Sequence, residues 1–157
     1  MKNKQEIERK FLINIIPADV KIFKRSIVKQ GYICISDNRE VRCRQIDDKY
    51  YLTIKSVGNL TREENEIELN ESQFYSIWTT TESARIYKER CNIDYGKHII
   101  ELDIFKENLE GLSLAEVEFE TIEDAGKFKT PIWFGKEVTK DVRYKNMNLA
   151  LNGLPKK

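Results

Sequence analysis

The stretch "EIERKFLI", residues 6–13, places Glu6, Glu8 and Lys10 at a spacing of two. In an extended chain successive side chains point to opposite faces, so these three share a face. Arg9 interrupts the alternation and falls on the other side. Two carboxylates and an ammonium on one face are either bathed in water or line the wall of a site. The rest of the chain decides between these.

Period-two alternation recurs in short segments and predicts strands at 5–13, 31–36, 39–46, 50–56, 62–69, 85–93, 98–105 and 114–120. Turn signals separate several of them, among them Ser36-Asp37-Asn38, Asp47-Asp48, Gly58-Asn59 and Tyr95-Gly96-Lys97. Helices are fewer. One is expected over 17–29, because Pro17 suits a first helical turn and Val20, Phe23 and Ile27 fall on one stripe. Asn70 is placed to cap a second, with Gln73 at the capping-box position and Phe74, Ile77 and Trp78 spaced for burial. Short helices are expected at 123–128 and 144–151, and "TPIWFG" (130–135) reads as a loop. The architecture is strand-rich α+β, mainly β.

A chain of 157 residues with 40% hydrophobic content is expected to form a single domain over 1–157. Its 27 basic and 26 acidic residues nearly cancel, which argues against a nucleic-acid or membrane partner held by bulk charge. No apolar run approaches the ~18 residues of a membrane span, and no apolar signal stretch opens the chain. Cys34, Cys43 and Cys91 are odd in number and lack metal-ligand spacing, which suits a reducing, cytoplasmic setting.

Laid out strand by strand, the charges sort by sign. Arg42 and Arg44 share a face, with Lys55 on the next strand. Arg62, Glu64, Glu66 and Glu68 follow, then Lys88 with Arg90, Glu101 with Asp103, and Glu116 with Glu118 and Glu120. An antiparallel sheet with one solvated face alternates in the same way. Same-face neighbours sit about 7 Å apart, however, where like charges repel by ~2 kcal/mol at an effective dielectric of 20. A face serving solubility alone would intersperse its signs. Were opposite-sign strands to face each other, the basic ones would grip an anion and the acidic ones would hold divalent cations. Buried charge costs several kcal/mol per ion unless compensated, so such a lining reads as a site for the metal complex of a polyanion, such as a polyphosphate.

Other chemistries lack their parts. Gly126-Lys127 and Gly135-Lys136 lack the rest of a phosphate-binding P-loop. Cys34 and Arg39 are separated by four residues, one short of a cysteine-phosphatase loop. His98, the only histidine, follows a turn and is expected at the surface; Trp78 and Trp133 read as packing anchors.

The ordered set of segments resembles the CYTH superfamily, the triphosphate tunnel metalloenzymes. The N-terminal E-x-E-x-K of Glu6, Glu8 and Lys10 resembles its signature. The likeness continues through "QGY" (30–32), "VRCR" (41–44), "LTIKS" (52–56), "REENEIE" (62–68), "YKER" (87–90), "ELDIF" (101–105), "AEVEFE" (115–120) and "WFGKEVTKDVRYKN" (133–146). The resemblance implies an eight-stranded antiparallel β-barrel with charged residues pointing into a tunnel and a few peripheral helices. It implies action on triphosphates with Mg²⁺ or Mn²⁺. Glu6, Glu8, Glu116 and Glu118 take the place of metal-binding carboxylates; Lys10, Arg42, Arg44, Lys55, Lys88 and Arg90 take that of the phosphate-binding set. Arg62, Glu64, Glu66, Glu101, Asp103 and Arg143 would complete the lining, although Asp141, Arg143 and Tyr144 could instead cap and dock the last helix. Tyr32 resembles a tyrosine that bacterial triphosphatases of the family place near the signature lysine.

Triphosphate carries roughly four negative charges near neutral pH, and phosphoryl transfer is mostly positioning and charge stabilisation. Glu6 or Glu8 is expected to orient or deprotonate the attacking water, while the basic residues neutralise the phosphate oxygens. Inorganic triphosphate is the expected substrate, since a short chain spent on barrel strands leaves little for recognising a base or thiamine. The alternatives are a class IV-like adenylate cyclase, a thiamine or nucleoside triphosphatase, and a non-catalytic polyphosphate sensor. Formation of a homodimer stays open.

Overall fold

The computed structural model describes residues 7–36, 39–56 and 64–156. Glu6 and Arg62, both assigned roles above, lie outside the described residues. Eight strands form one sheet: β1 (Ile7–Leu12), β2 (Ile22–Ser36), β3 (Arg39–Ile46), β4 (Lys49–Ser56), β5 (Glu64–Leu69), β6 (Arg85–Tyr95), β7 (His98–Phe105) and β8 (Ser113–Phe119). Among the described residues three α-helices accompany them: α1 (Glu71–Trp78), α2 (Ile122–Lys127) and α3 (Asn146–Asn152). All neighbouring strands are antiparallel, in the order β1-β8-β7-β6-β2-β3-β4-β5. Among the described residues β1 and β5 are the two edges and do not pair. The sheet is barrel-like, not strictly closed. Its curl is plain from a single cavity that receives side chains from all eight strands.

The helix expected over 17–29 is absent: residues 17–21 form no helix, and 22–29 are the first half of β2, a strand of 15 residues. The apolar stripe was misleading: Phe23 and Ile27 are 53% and 56% exposed, whereas Ser26 and Val28 are buried. One register shift falls in this stretch, between Ile22 and Lys24, where Phe23 is the extra residue. From Lys24 the strand keeps period two against β6, so long-range pairing overrides the local spacing. β2 pairs with β6 from Ile22 to Gly31 and with β3 from Val28 to Ser36.

The sheet's outer face carries one core. Phe11, Cys91, Ile93, Ile100, Leu102, Ala115 and Val117 pack there with Ala125 of α2 and Phe128. His98 is drawn into this layer, edge-on to Phe119 and Phe128, and is half-buried where the sequence placed it at the surface. α1 begins with a reciprocal capping box between Asn70 and Gln73. It buries Phe74, which stacks on Trp78 at a ring separation of 5.4 Å.

The inner face is divided along its length. On β6, β7 and β8 the inward positions run Ile86-Lys88-Arg90, Phe105-Asp103-Glu101 and Leu114-Glu116-Glu118. The apolar ends of these rows pack with Tyr32, Val138 and Leu149 of α3, with Met147 against them. α3 thereby plugs one end of the tunnel. The middle residue of "QGY" is explained by another contact: a Cβ on Gly31 would lie 2.5 Å from the Thr81 hydroxyl. No described helix is long and apolar enough to cross a membrane.

Candidate active site: a charged lumen

The cavity encloses about 620 Å³ and is lined mostly by charge. Antiparallel register sets the pairs. Glu8 stands opposite Glu118 across β1 and β8, and Lys10 stands opposite Glu116, with Nζ 2.8 Å from Oε1. Glu101 faces Glu116 across β7 and β8, and Arg90 faces Asp103 across β6 and β7. On the other wall Tyr32 lies opposite Arg42, Gln30 opposite Arg44, and Lys55 opposite both Glu40 and Glu64.

Asp103 is fully buried beneath the lumen and is not among the residues that line it. It accepts from Lys88 Nζ at 2.5 Å and from both Nε and Nη2 of Arg90 at 2.7 Å. Arg90 also donates to Glu101 and approaches Glu116 at 3.5 Å. Burial works against the Asp103 carboxylate, but Lys88 and Arg90 overcome it and hold its pKa below the usual range. Burial lowers the Lys88 pKa, with Asp103 resisting, because this lysine shares its carboxylate with Arg90. Burial raises the pKa of Glu101, and Arg90 opposes that shift while Asp103 and Glu116 add to it. The basic wall is the strained one. Burial lowers the pKa of Arg44, and its like-charged neighbour Arg42 adds to the effect.

Arg42 and Arg44 each keep a buried Nε with no hydrogen-bond partner among the described residues. Buried donors in folded proteins nearly always have partners, so two orphans on adjacent inward positions mark a place for an acceptor-rich ligand. Arg42 is itself buried, with its nearest carboxylate, Glu40, at 3.9 Å. Tyr32 is buried beside it and accepts from Gln30 Nε2 at 2.7 Å. Burial raises the phenol's pKa strongly, so Tyr32 remains a protonated phenol at neutral pH.

The remaining residues singled out in the sequence fall as follows. Lys55 and Glu64 line the cavity and pair at 3.0 Å. Glu66 accepts from Arg44 and Thr53 on the edge strand and is not part of the lining. Arg143 stands apart: it is 54% exposed, forked onto Asp141 and donating to the Lys156 carbonyl. Arg143 is not among the residues that line the cavity, and Asp141 caps the short 3-10 turn Val142–Tyr144 and not the last helix, whose N-cap Lys145 makes no side-chain cap.

No protein-family model matches the chain. An inorganic triphosphatase from Nitrosomonas europaea is 43% identical over 152 residues, covering 94% of this chain and 97% of its own. An inorganic triphosphatase from Acetivibrio thermocellus is 35% identical, covering 94% of each. A crystal structure of an inorganic triphosphatase superposes with a TM-score of 0.76 at 40% identity, covering 94% of this chain and 95% of that one. The chain belongs to the triphosphate tunnel (CYTH) family of inorganic triphosphatases.

Several residues of this triphosphate tunnel escaped the sequence reading. Glu40 and Gln30 share inward faces with Arg42 and Tyr32, so their spacing of two was the available signal. Lys145, Asn146 and Met147 enter the tunnel from the start of α3, and no alternation announces them.

A divalent cation is implied by the family, and the donor chemistry of this lumen fits one. Glu8 and Glu118 are carboxylates directly opposed across two strands, and both line the cavity. Carboxylate oxygens are the ligands that Mg²⁺ and Mn²⁺ prefer. Glu116, expected with them, is engaged by Lys10 and Arg90. Among the described residues no three acidic, histidine or cysteine side chains form a ready cluster.

Proposed function

We propose that this chain hydrolyses inorganic triphosphate to orthophosphate and pyrophosphate inside the tunnel, with Mg²⁺ or Mn²⁺ held by Glu8 and Glu118. The single observation that carries the reading is that Arg42 and Arg44, each with a buried and unpartnered Nε, line the same cavity as Glu8 and Glu118. The kinship with inorganic triphosphatases supplies the reaction class.

Lys10, Arg42, Arg44, Lys55, Lys88 and Arg90 bind and orient the triphosphate oxygens. Arg90 and Lys88 are held rigid by Asp103 beneath them, so their charge is in place before the substrate arrives. A water attacks the terminal phosphorus, its proton passing to Glu8 as the new P–O bond forms. The bridging P–O bond breaks, and pyrophosphate leaves against the basic wall. Tyr32 donates a hydrogen bond to the substrate or leaving group. The cation's chemistry is charge neutralisation on the phosphate oxygens. We take the tunnel to occupy one domain over 1–157, working in the cytoplasm; the unpaired state of Cys34, Cys43 and Cys91 supports that setting.

The test is product identification with Mg²⁺ or Mn²⁺ and, separately, tripolyphosphate, ATP and thiamine triphosphate. Orthophosphate with pyrophosphate from tripolyphosphate, abolished by EDTA, is the expected result. Cyclic AMP from ATP, or tight tripolyphosphate binding with no product, would overturn it.

A further inference from the structure

The sheet edge at β1 is covered in an unusual way. Residues 135–139 run alongside it: Leu12 N–H donates to the Lys136 carbonyl at 2.9 Å, and Gly135 N–H to the Leu12 carbonyl at 2.8 Å. Phe11 and Glu137 form an isolated antiparallel bridge, and Val138 N–H donates to the Lys10 carbonyl at 2.8 Å. The approach is close, since a Cβ on Gly135 would sit 2.7 Å from the Leu12 carbonyl oxygen. At Lys10 N–H the main-chain ladder stops. Its acceptor is a side chain, Thr139 Oγ1, at 3.0 Å.

That hydroxyl is itself held. Thr139 Oγ1 donates to Glu137 Oε1 at 2.8 Å. The same carboxylate accepts from Arg9 Nε and Nη2 at 3.0 and 2.7 Å, while Arg9 Nη1 reaches the Ala125 carbonyl at 3.1 Å. Further on, the segment rounds the rim. The Tyr144 carbonyl accepts from Lys10 Nζ at 3.4 Å, and Lys145, Asn146 and Met147 enter the lumen. One stretch of chain therefore grips Lys10 at its N–H, its carbonyl and its ammonium.

We infer that Thr139 is a positioning residue for the tunnel: through its hydroxyl, the 135–147 segment sets where β1 presents Lys10, and with it Glu8, to the substrate. The inference rests on the triphosphatase reading, since Lys10 and Glu8 matter to turnover only if the tunnel hydrolyses triphosphate. Only a hydroxyl both accepts from Lys10 and donates to Glu137, so serine can replace threonine and valine cannot. A small displacement of a positioned group is enough to lower the rate sharply.

The experiment compares wild type, Thr139→Val and Thr139→Ser for kcat and KM on tripolyphosphate, Tm, and amide hydrogen exchange at Lys10. Thr139→Val should lower kcat by about tenfold or more, leave KM within about twofold, and speed exchange at Lys10. Thr139→Ser should restore both kcat and exchange. Wild-type kcat in Thr139→Val, equal loss in the valine and serine variants, or a kcat loss that only follows a fall in Tm would each overturn the inference. If wild type itself turns over no triphosphate, the functional reading fails alone. The exchange measurement then decides for Thr139, with unchanged Lys10 exchange in Thr139→Val counting against it. Should Thr139→Val not fold, Glu137→Gln keeps the side chain's shape and should lower kcat in the same sense, and unaltered kcat there would overturn the inference.

Discussion

At the scale of single residues, Asp103 contributes to the acidic side of the stability curve. Its folded pKa lies below the ~3.9 of an unfolded aspartate, because Lys88 and Arg90 outweigh its burial. Its contribution is therefore complete above about pH 5 and is lost as pH falls through ~4 toward ~2. Urea unfolding of Asp103→Asn across pH 2 to 7 should show that slope flattened. At neutral pH the same variant leaves the buried Lys88 ammonium without its carboxylate, a loss on the order of 3–5 kcal/mol. Glu8 and Arg9 make a second contrast. Replacing Glu8 by glutamine should lower kcat on tripolyphosphate by ~10²-fold or more, since the carboxylate proposed to take the proton is gone. Arg9→Ala should cost far less activity than Lys10→Ala, because Arg9 points away from the lumen onto Glu137. A loss comparable with that of Lys10→Ala would place β1 in the wrong register.

At the scale of elements, α3 and β2 carry the argument. α3 closes the apolar end of the tunnel with Leu149, which is almost wholly buried. Leu149→Ala should destabilise by ~2–5 kcal/mol in denaturant unfolding, through lost burial and the cavity left behind. Gly31→Ala should destabilise as well, because its Cβ meets the Thr81 hydroxyl and β-carbon at 2.5 and 2.6 Å. Neither effect was visible in the sequence: the Gly31 contact joins β2 to the turn after α1, and only packing brings them together. α1 was legible because its signals are local; Asn70, Gln73 and Phe74 lie within five residues. The first half of β2 was not, because Val20, Phe23 and Ile27 carry helical spacing while its pairing partner, β6, is distant in sequence.

At the scale of the whole molecule, the lumen concentrates like charges that a polyanion would relieve. Tripolyphosphate at a hundredfold excess over its Kd should stabilise by about 2.7 kcal/mol, a rise in Tm of roughly 5–10 °C for a chain of this size. In Arg42→Gln that rise should shrink, while the ligand-free Tm holds or increases, because Arg44 loses a repelling neighbour. A differential scanning measurement with and without ligand checks both. A full ligand-induced shift in Arg42→Gln would remove Arg42 from the binding set.

The sequence by itself determined which residues share a face, since period two is a property of the extended chain and needs no partner. It thus paired Arg42 with Arg44, Lys88 with Arg90 and Glu116 with Glu118, and the motif order pointed to a tunnel family. Only the tertiary structure decided which faces meet. It put Glu8 against Glu118 and sank Asp103 beneath Lys88 and Arg90. It turned Arg143 outward and laid the 135–139 segment along β1. Those outcomes depend on cross-strand register and on how far the sheet curls, and both are set by contacts between residues far apart in the chain.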